Sequence, residues 1–217
     1  MADSLIEAAA QLFTSTDRRI YGVTLGQVVD NLDIKTEGRV QVSLPWMPSI
    51  EPWCRVASPA AGDDRGIYFM PQVGDEVLVA FDQGDVRDAF VIGCLWNGSD
   101  QPPVDQPSDA VGKRMIRTPA GHEILLDDLE QSIVITSSTG QKVTIDAQKI
   151  ELNAGDGAAK VKLETTGNVT IEAALDLKLK GQTVTVEGTT VDVKASAAGT
   201  LDGGGSCTVK GATVRIN

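Results

Sequence analysis

The sequence predicts an all-β protein in two unlike parts. A small N-terminal barrel is followed by an intertwined three-chain β-helix (a β-prism), with one short helix in front. Three observations carry this. All nine aromatic residues lie in the first half, from Phe13 to Trp96. The charge imbalance lies there too: residues 1–109 hold seven basic and seventeen acidic side chains, against twelve and thirteen in 110–217. In the second half, apolar residues alternate in short units of seven or eight.

The helix is expected over residues 4–15. Asp3 or Ser4 caps it, Glu7 sits in its first turn, and Leu5, Ala8, Ala9, Leu12 and Phe13 make one apolar stripe. Residues 1–19 then form a lead-in. Short strands follow, separated by turn residues. Residues 39–44 (RVQVSL) alternate until Pro45 stops them, and 53–57 (WCRVA) come before a loop at 58–66. Residues 76–81 (EVLVAF) alternate again, 83–85 (QGD) turn the chain, and 89–96 (AFVIGCLW) read as a buried run. About five strands over residues 20–96 fit a small closed barrel of the OB kind.

Residues 97–109 (NGSDQPPVDQPSD) read as a linker, because Pro, Asp and Ser cluster there. The second half, 110–217, has no aromatic residue with which to fill a globular core. Its strict alternation still marks strands with one buried face. The alternating pairs begin at Val161, Val169, Leu177, Val184 and Val191, steps of 8, 8, 7 and 7 residues. Cys207 and Val214 open two more, and glycines punctuate the series.

A unit this short makes one strand of roughly 17–20 Å and one corner. A single chain folded as a meander of hairpins would leave its apolar face bare. Three chains solve the geometry if each unit covers one side of a triangular prism and passes to the next. The core is then a narrow tube that suits Val, Ile, Leu and Ala. The expected trimer core is Val169, Ile171, Val184, Val186, Val191, Val193, Val209, Val214 and Ile216, and the expected tip is Arg215, Ile216 and Asn217.

The remaining features argue against chemistry. A net charge of −11 opposes binding to a phosphate backbone, so no nucleic-acid partner is expected, and Trp46 and Trp53 read as barrel core or partner interface. Cys54, Cys94 and Cys207 have no metal or disulfide spacing. His122 stands on a strand with no nucleophile beside it, and Asp127 and Asp128 point to opposite faces of a strand or hold a turn. Residues 203–205 (GGG) lack the Lys and Ser/Thr of a phosphate loop. No catalytic, cofactor-binding or metal residue is expected, and the protein reads as a non-enzyme. The N-terminus has no signal-peptide pattern, which places synthesis in the cytoplasm.

Several segments carry a resemblance: 25–29 (LGQVV), 38–45 (GRVQVSLP), 53–56 (WCRV), 71–81 (PQVGDEVLVAF), 84–85, 92–93 and 118–128 (TPAGHEILLDD). In combination they resemble the phage baseplate protein V and VgrG spike families. That resemblance implies a homotrimeric central spike of a contractile injection machine: a phage tail, a tailocin or a secretion particle. Such a spike sits under the tail tube and punctures the target envelope, which it meets only transiently. VgrG proteins carry a large hub before the barrel, and only about twenty residues precede it here, so the expectation is a short spike docking on a separate hub or tube protein. No histidine follows His122, so an apical metal site held by a His pair is not expected. The chain stops mid-pattern, and a PAAR-type cone is the implied cap on the blunt end. The implied location is a virion baseplate or a contractile particle. The alternative is a trimeric tail fibre with a receptor-binding or cell-wall-degrading role.

Overall fold

The alternating segments of the first half become the staves of a closed barrel in a computed structural model, which describes residues 19–35, 37–104 and 106–216. The expected helix at 4–15 lies outside the described residues. Five strands close the barrel: β1 (Val23–Asp30), β2 (Arg39–Ser43), β3 (Trp53–Val56), β6 (Glu76–Asp82) and β7 (Asp85–Leu95), in the order β1-β2-β3-β7-β6. Between them a two-stranded ribbon, β4 (Ala61–Gly62) and β5 (Arg65–Gly66), stands on the loop after β3.

Period-two alternation decides which residues face inward. Val40, Val42 and Leu44 enter the core from β2 and its exit, and Val77, Val79 and Phe81 enter from β6. Val28, Cys54, Ala89 and Val91 complete it, and all ten are at most 9% exposed. Strand β1 closes the barrel by pairing with β6 along its first half and β2 along its second. The strand changes partner at Gly26 and Gln27. A Cβ on Gly26 would lie 2.4 Å from Val42 Cγ1, so only glycine lets β1 pass there. β3 and β7 run parallel, Arg55 opposite Phe90, with the Arg55 guanidinium 4.5 Å from the Phe90 ring centre.

The loop between β1 and β2 is braced by one side chain. Asp33 accepts hydrogen bonds from the backbone N–H groups of Lys35 (3.1 Å), Glu37 (2.9 Å) and Arg39 (3.3 Å). The Arg39 guanidinium adds two more, at 3.3 and 3.1 Å. The Arg39 guanidinium, together with these backbone donors, holds the Asp33 carboxyl down at about 2, below the usual 3.8. The folded state therefore favours the ionised carboxylate. Its contribution is complete above pH 3.8 and is lost as pH falls through about 2. Asp33→Asn is expected to lower the barrel's melting temperature at pH 7 and to change it much less near pH 2. An equal loss at both pH values would show that the charge at Asp33 does not act.

A short helix, α1 (Asp109–Gly112), and a strand, β8 (Lys113–Arg117), end the first unit, and a second unit runs from Thr118. Within the second unit the chain reverses repeatedly. The strands are β9 (Glu123–Asp127), β10 (Ser132–Thr136), β11 (Lys142–Ile145), β12 (Lys149–Asn153), β13 (Ala159–Glu164) and β14 (Val169–Ala173). From β10 on, each pairs antiparallel with the one before it in the same chain. Asp127 holds the first reversal, its Oδ1 accepting from the N–H groups of Leu129 and Glu130, both at 3.0 Å. His122 holds the entry, its Nδ1 accepting from Ser138 N–H at 3.2 Å. Beyond Ala174 the described residues form no strand and are exposed.

Candidate functional site

The register of the second unit gathers its apolar residues into two columns on one face. Leu126, Ile133, Ile145, Ile150, Leu163 and Val169 lie side by side across six strands. Ile124, Ile135, Val143, Leu152, Val161 and Ile171 form the neighbouring column in the same register. Branched aliphatic residues opposite one another across strands stabilise the sheet, and they also make a flat, continuous hydrocarbon surface. That surface is not covered. Ile133 is 41% exposed, Ile135 45%, Ile150 43% and Leu152 45%.

Charged residues occupy the opposite face. Lys149 and Lys160 reach Glu151 at 2.8 and 3.3 Å, and Lys162 reaches Glu164 at 2.5 Å. Lys149 first, then Lys160, hold the Glu151 carboxyl below the usual carboxylate range, and Lys162 does the same for Glu164. Paired charges of this kind are hydrated and add little stability. They do set the orientation of the sheet, because a face of ion pairs stays wet and leaves the aliphatic face to be covered.

Magnitudes say what the aliphatic face can do. Burying a Val, Leu or Ile side chain fully gains about 1.5–3 kcal/mol. Ten of the twelve are 38–64% exposed, so the face holds roughly 10 kcal/mol per chain in reserve. Bringing a partner onto the face costs on the order of 4–15 kcal/mol in lost translation and rotation. The face is large enough to drive stable association of several chains.

The residues expected at a trimer core divide in two. Val169 and Ile171 stand on the apolar face, at its last strand. Val184, Val186, Val191, Val193, Val209, Val214 and Ile216 lie in the extended chain after Ala174, from 51% to 91% exposed, and the single chain does not bring them together. Arg215 and Ile216 are likewise exposed, and Asn217 lies outside the described residues. Sequence reading did not single out the larger part of the face, from Ile124 to Leu152. The alternation was present in 132–136 (SIVIT) and 149–153 (KIELN). Hairpin turns of unequal length hid the period there.

The barrel offers a second kind of surface. Leu32 and Ile34, in the loop braced by Asp33, are 77% and 95% exposed. Beside the β4–β5 ribbon, a cleft of about 720 Å³ is lined by Arg55, Tyr68, Phe69 and Phe90 among others. Cys54 is closed to chemistry, since burial pushes its thiol up to about 12.

Comparison with known proteins finds two separate family matches. Residues 24–96 match the type VI secretion system/phage-baseplate injector OB domain, and residues 113–176 match the phage baseplate V C-terminal trimerisation domain. The type VI secretion system spike protein VgrG5 of Pseudomonas aeruginosa is 32% identical over 93 residues, 40% of this chain and 12% of its own length. The spike protein VgrG3 of Vibrio cholerae is 36% identical over 87 residues, 37% of this chain and 8% of its own length. The actin cross-linking toxin VgrG1 of Vibrio cholerae is 26% identical over 108 residues, 47% of this chain and 10% of its own length. The chain thus spans about an eighth or less of these relatives.

Proposed function

The chain belongs to the phage baseplate V and VgrG-type spike family, and from that membership we propose that three copies form the central spike of a contractile injection machine. The observation that carries this reading is the bare aliphatic face of β9 to β14 within a segment similar to a trimerisation domain. Three such faces turned inward make a closed triangular core, with the ion pairs of Glu151 and Glu164 on the outside. On this reading residues 20–96 are the docking barrel, 97–109 the linker and 110–217 the rod. The rod transmits force and performs no chemistry. The barrel meets a hub or tube protein, and a PAAR-type cone is the tip partner, with Arg215, Ile216 and Asn217 as its contacts. The assembled location is a phage baseplate or a related contractile particle, and the target envelope is met only on contraction.

Sedimentation of the full chain tests the core of this reading. Three chains per particle are expected. A compact, soluble monomer with the same β-structure would overturn it.

The barrel's docking role has its own test. Leu32 and Ile34 flank Asp33, whose hydrogen bonds brace the loop, so a partner binding them has less of the loop to order. Exposed anchors of this kind cost up to ~2 kcal/mol each when lost from the centre of an interface. The double substitution Leu32→Asp, Ile34→Asp is expected to leave the trimer intact and to cut incorporation into assembled particles at least ~10-fold. Unchanged incorporation would place docking elsewhere on the barrel.

A further inference from the structure

We propose that the chain's own amphipathic segment, residues 4–15, docks on the outer face of the barrel where β1, β6 and β7 lie side by side. The segment lies outside the described residues, whereas the strands of the face lie within them. The inference goes beyond the spike reading and does not rest on it.

The alternation that fills the barrel core also leaves an apolar row on the outside. Val77, Val79 and Phe81 point inward from β6, so Leu78 and Ala80 point outward. On β1, Leu25 stands opposite Leu78 and Val23 opposite Ala80. On β7, Phe90 stands opposite Ala80. There the register slips. Leu78 pairs with Gly93 and Val79 with Val91, which makes Ile92 the extra residue of a bulge. A bulge re-aims its side chain, and Ile92 is 46% exposed beside the buried Val91. Val23 and Leu25 are 58% and 48% exposed. Three strands thus share one hydrocarbon patch, bounded at one end by the polar pair Gln27 and Glu76.

The chain enters the barrel at the edge of this patch. Ile20 N–H donates to Gly84 O at 2.9 Å, in the turn between β6 and β7. β1 begins at Val23, across from Ala80. Residues 1–18 therefore leave from the end of the same three strands. Five residues, 14–18, reach up to about 17 Å when extended, enough to turn back over the patch. The dimensions also agree. At helical rise, the stripe from Leu5 to Phe13 spans about 12 Å, and three adjacent strands are about 10 Å across. A helix of this length is marginal in water by itself, so its stripe needs a seat. The tether holds it near the patch at an effective concentration on the order of mM, so it occupies the patch ahead of a separate protein.

Hydrogen exchange of the full chain tests the seat. Amides of 5–15 are expected to exchange at least ~100-fold more slowly than in the denatured chain, which an undocked helix of twelve residues does not reach. Ile92→Asp charges the patch without entering the barrel core. It is expected to bring those amides to within ~3-fold of the denatured rate while β2 and β6 stay protected, and Ile92→Leu is expected to keep the protection. Exchange of 5–15 at the denatured rate in the unaltered chain would overturn the inference. Protection that survives Ile92→Asp would also overturn it, by placing the segment elsewhere. Mild oxidation of the double variant Leu12→Cys, Ile92→Cys is expected to join the two introduced thiols within one chain. A bond between two chains would give the patch to a second copy's segment and overturn the inference. A monomer whose segment is protected would overturn the trimeric spike and leave this inference standing.

Discussion

Leu152→Asp is expected to give a soluble chain that no longer assembles. Leu152 sits in the middle of the apolar face, opposite Val143 and Val161, and is 45% exposed in the single chain. There an aspartate keeps much of its water. In the trimer it would be dry, and it would occur three times. A buried, unpaired charge costs several kcal/mol, so three cost on the order of 10 kcal/mol before their mutual repulsion is counted. That corresponds to roughly seven orders of magnitude in the assembly constant. Thr170→Asp is the control. Thr170 lies on the opposite face, across from Lys162, where an added carboxylate stays hydrated beside a cation. Sedimentation across a concentration series is expected to show monomer for Leu152→Asp and unchanged trimer for Thr170→Asp. A stable trimer of the Leu152 variant at nanomolar concentration would remove this face from the interface.

The second large effect is expected in the barrel. A Cβ at Gly26 already meets Val42 Cγ1 at 2.4 Å, Ser43 O at 3.2 Å and Val79 Cγ2 at 3.3 Å. Valine adds two further carbons where β1 passes from β6 to β2. Overpacking a dense core costs about 1–3 kcal/mol, and more where backbone must move. In a domain of this size, about 3 kcal/mol lowers the melting temperature by roughly 12–24 °C. Gly26→Val is therefore expected to melt the barrel early or leave it unfolded. The apolar face of the second unit is unaltered by this change, so trimerisation is expected to persist. Calorimetry of the full chain checks both. A barrel that melts within a few degrees of wild type would mean that β1 does not need a glycine at its crossing.

Much of the fold was legible because alternation reports directly on burial. Residues 39–44 and 76–81 showed in sequence which side chains enter the barrel. The lack of aromatic residues after Trp96 showed that the second half could not be a globule. Val169 and Ile171 were recognisable as face residues because regular spacing surrounds them. Ile133, Ile135, Ile150 and Leu152 were not, because the turns joining their strands differ in length. The bracing of the Leu32 and Ile34 loop was also hidden. Nothing local distinguishes Asp33 from other loop aspartates until Arg39 folds back onto it.

Sequence alone determined the all-β class, the two-part division of composition and the inward residues of the barrel's alternating strands. These follow from local periodicity and from the size of the side chains available to fill a core. Tertiary structure decided which strands are partners: the parallel pairing of β3 with β7, the crossing of β1 at Gly26, and the self-paired sheet that ends at Ala173. A period of two says which face a residue occupies and is silent about the neighbour across the ladder. That neighbour is chosen by turn geometry and by contacts between residues far apart in the chain, and these exist only once the chain has folded.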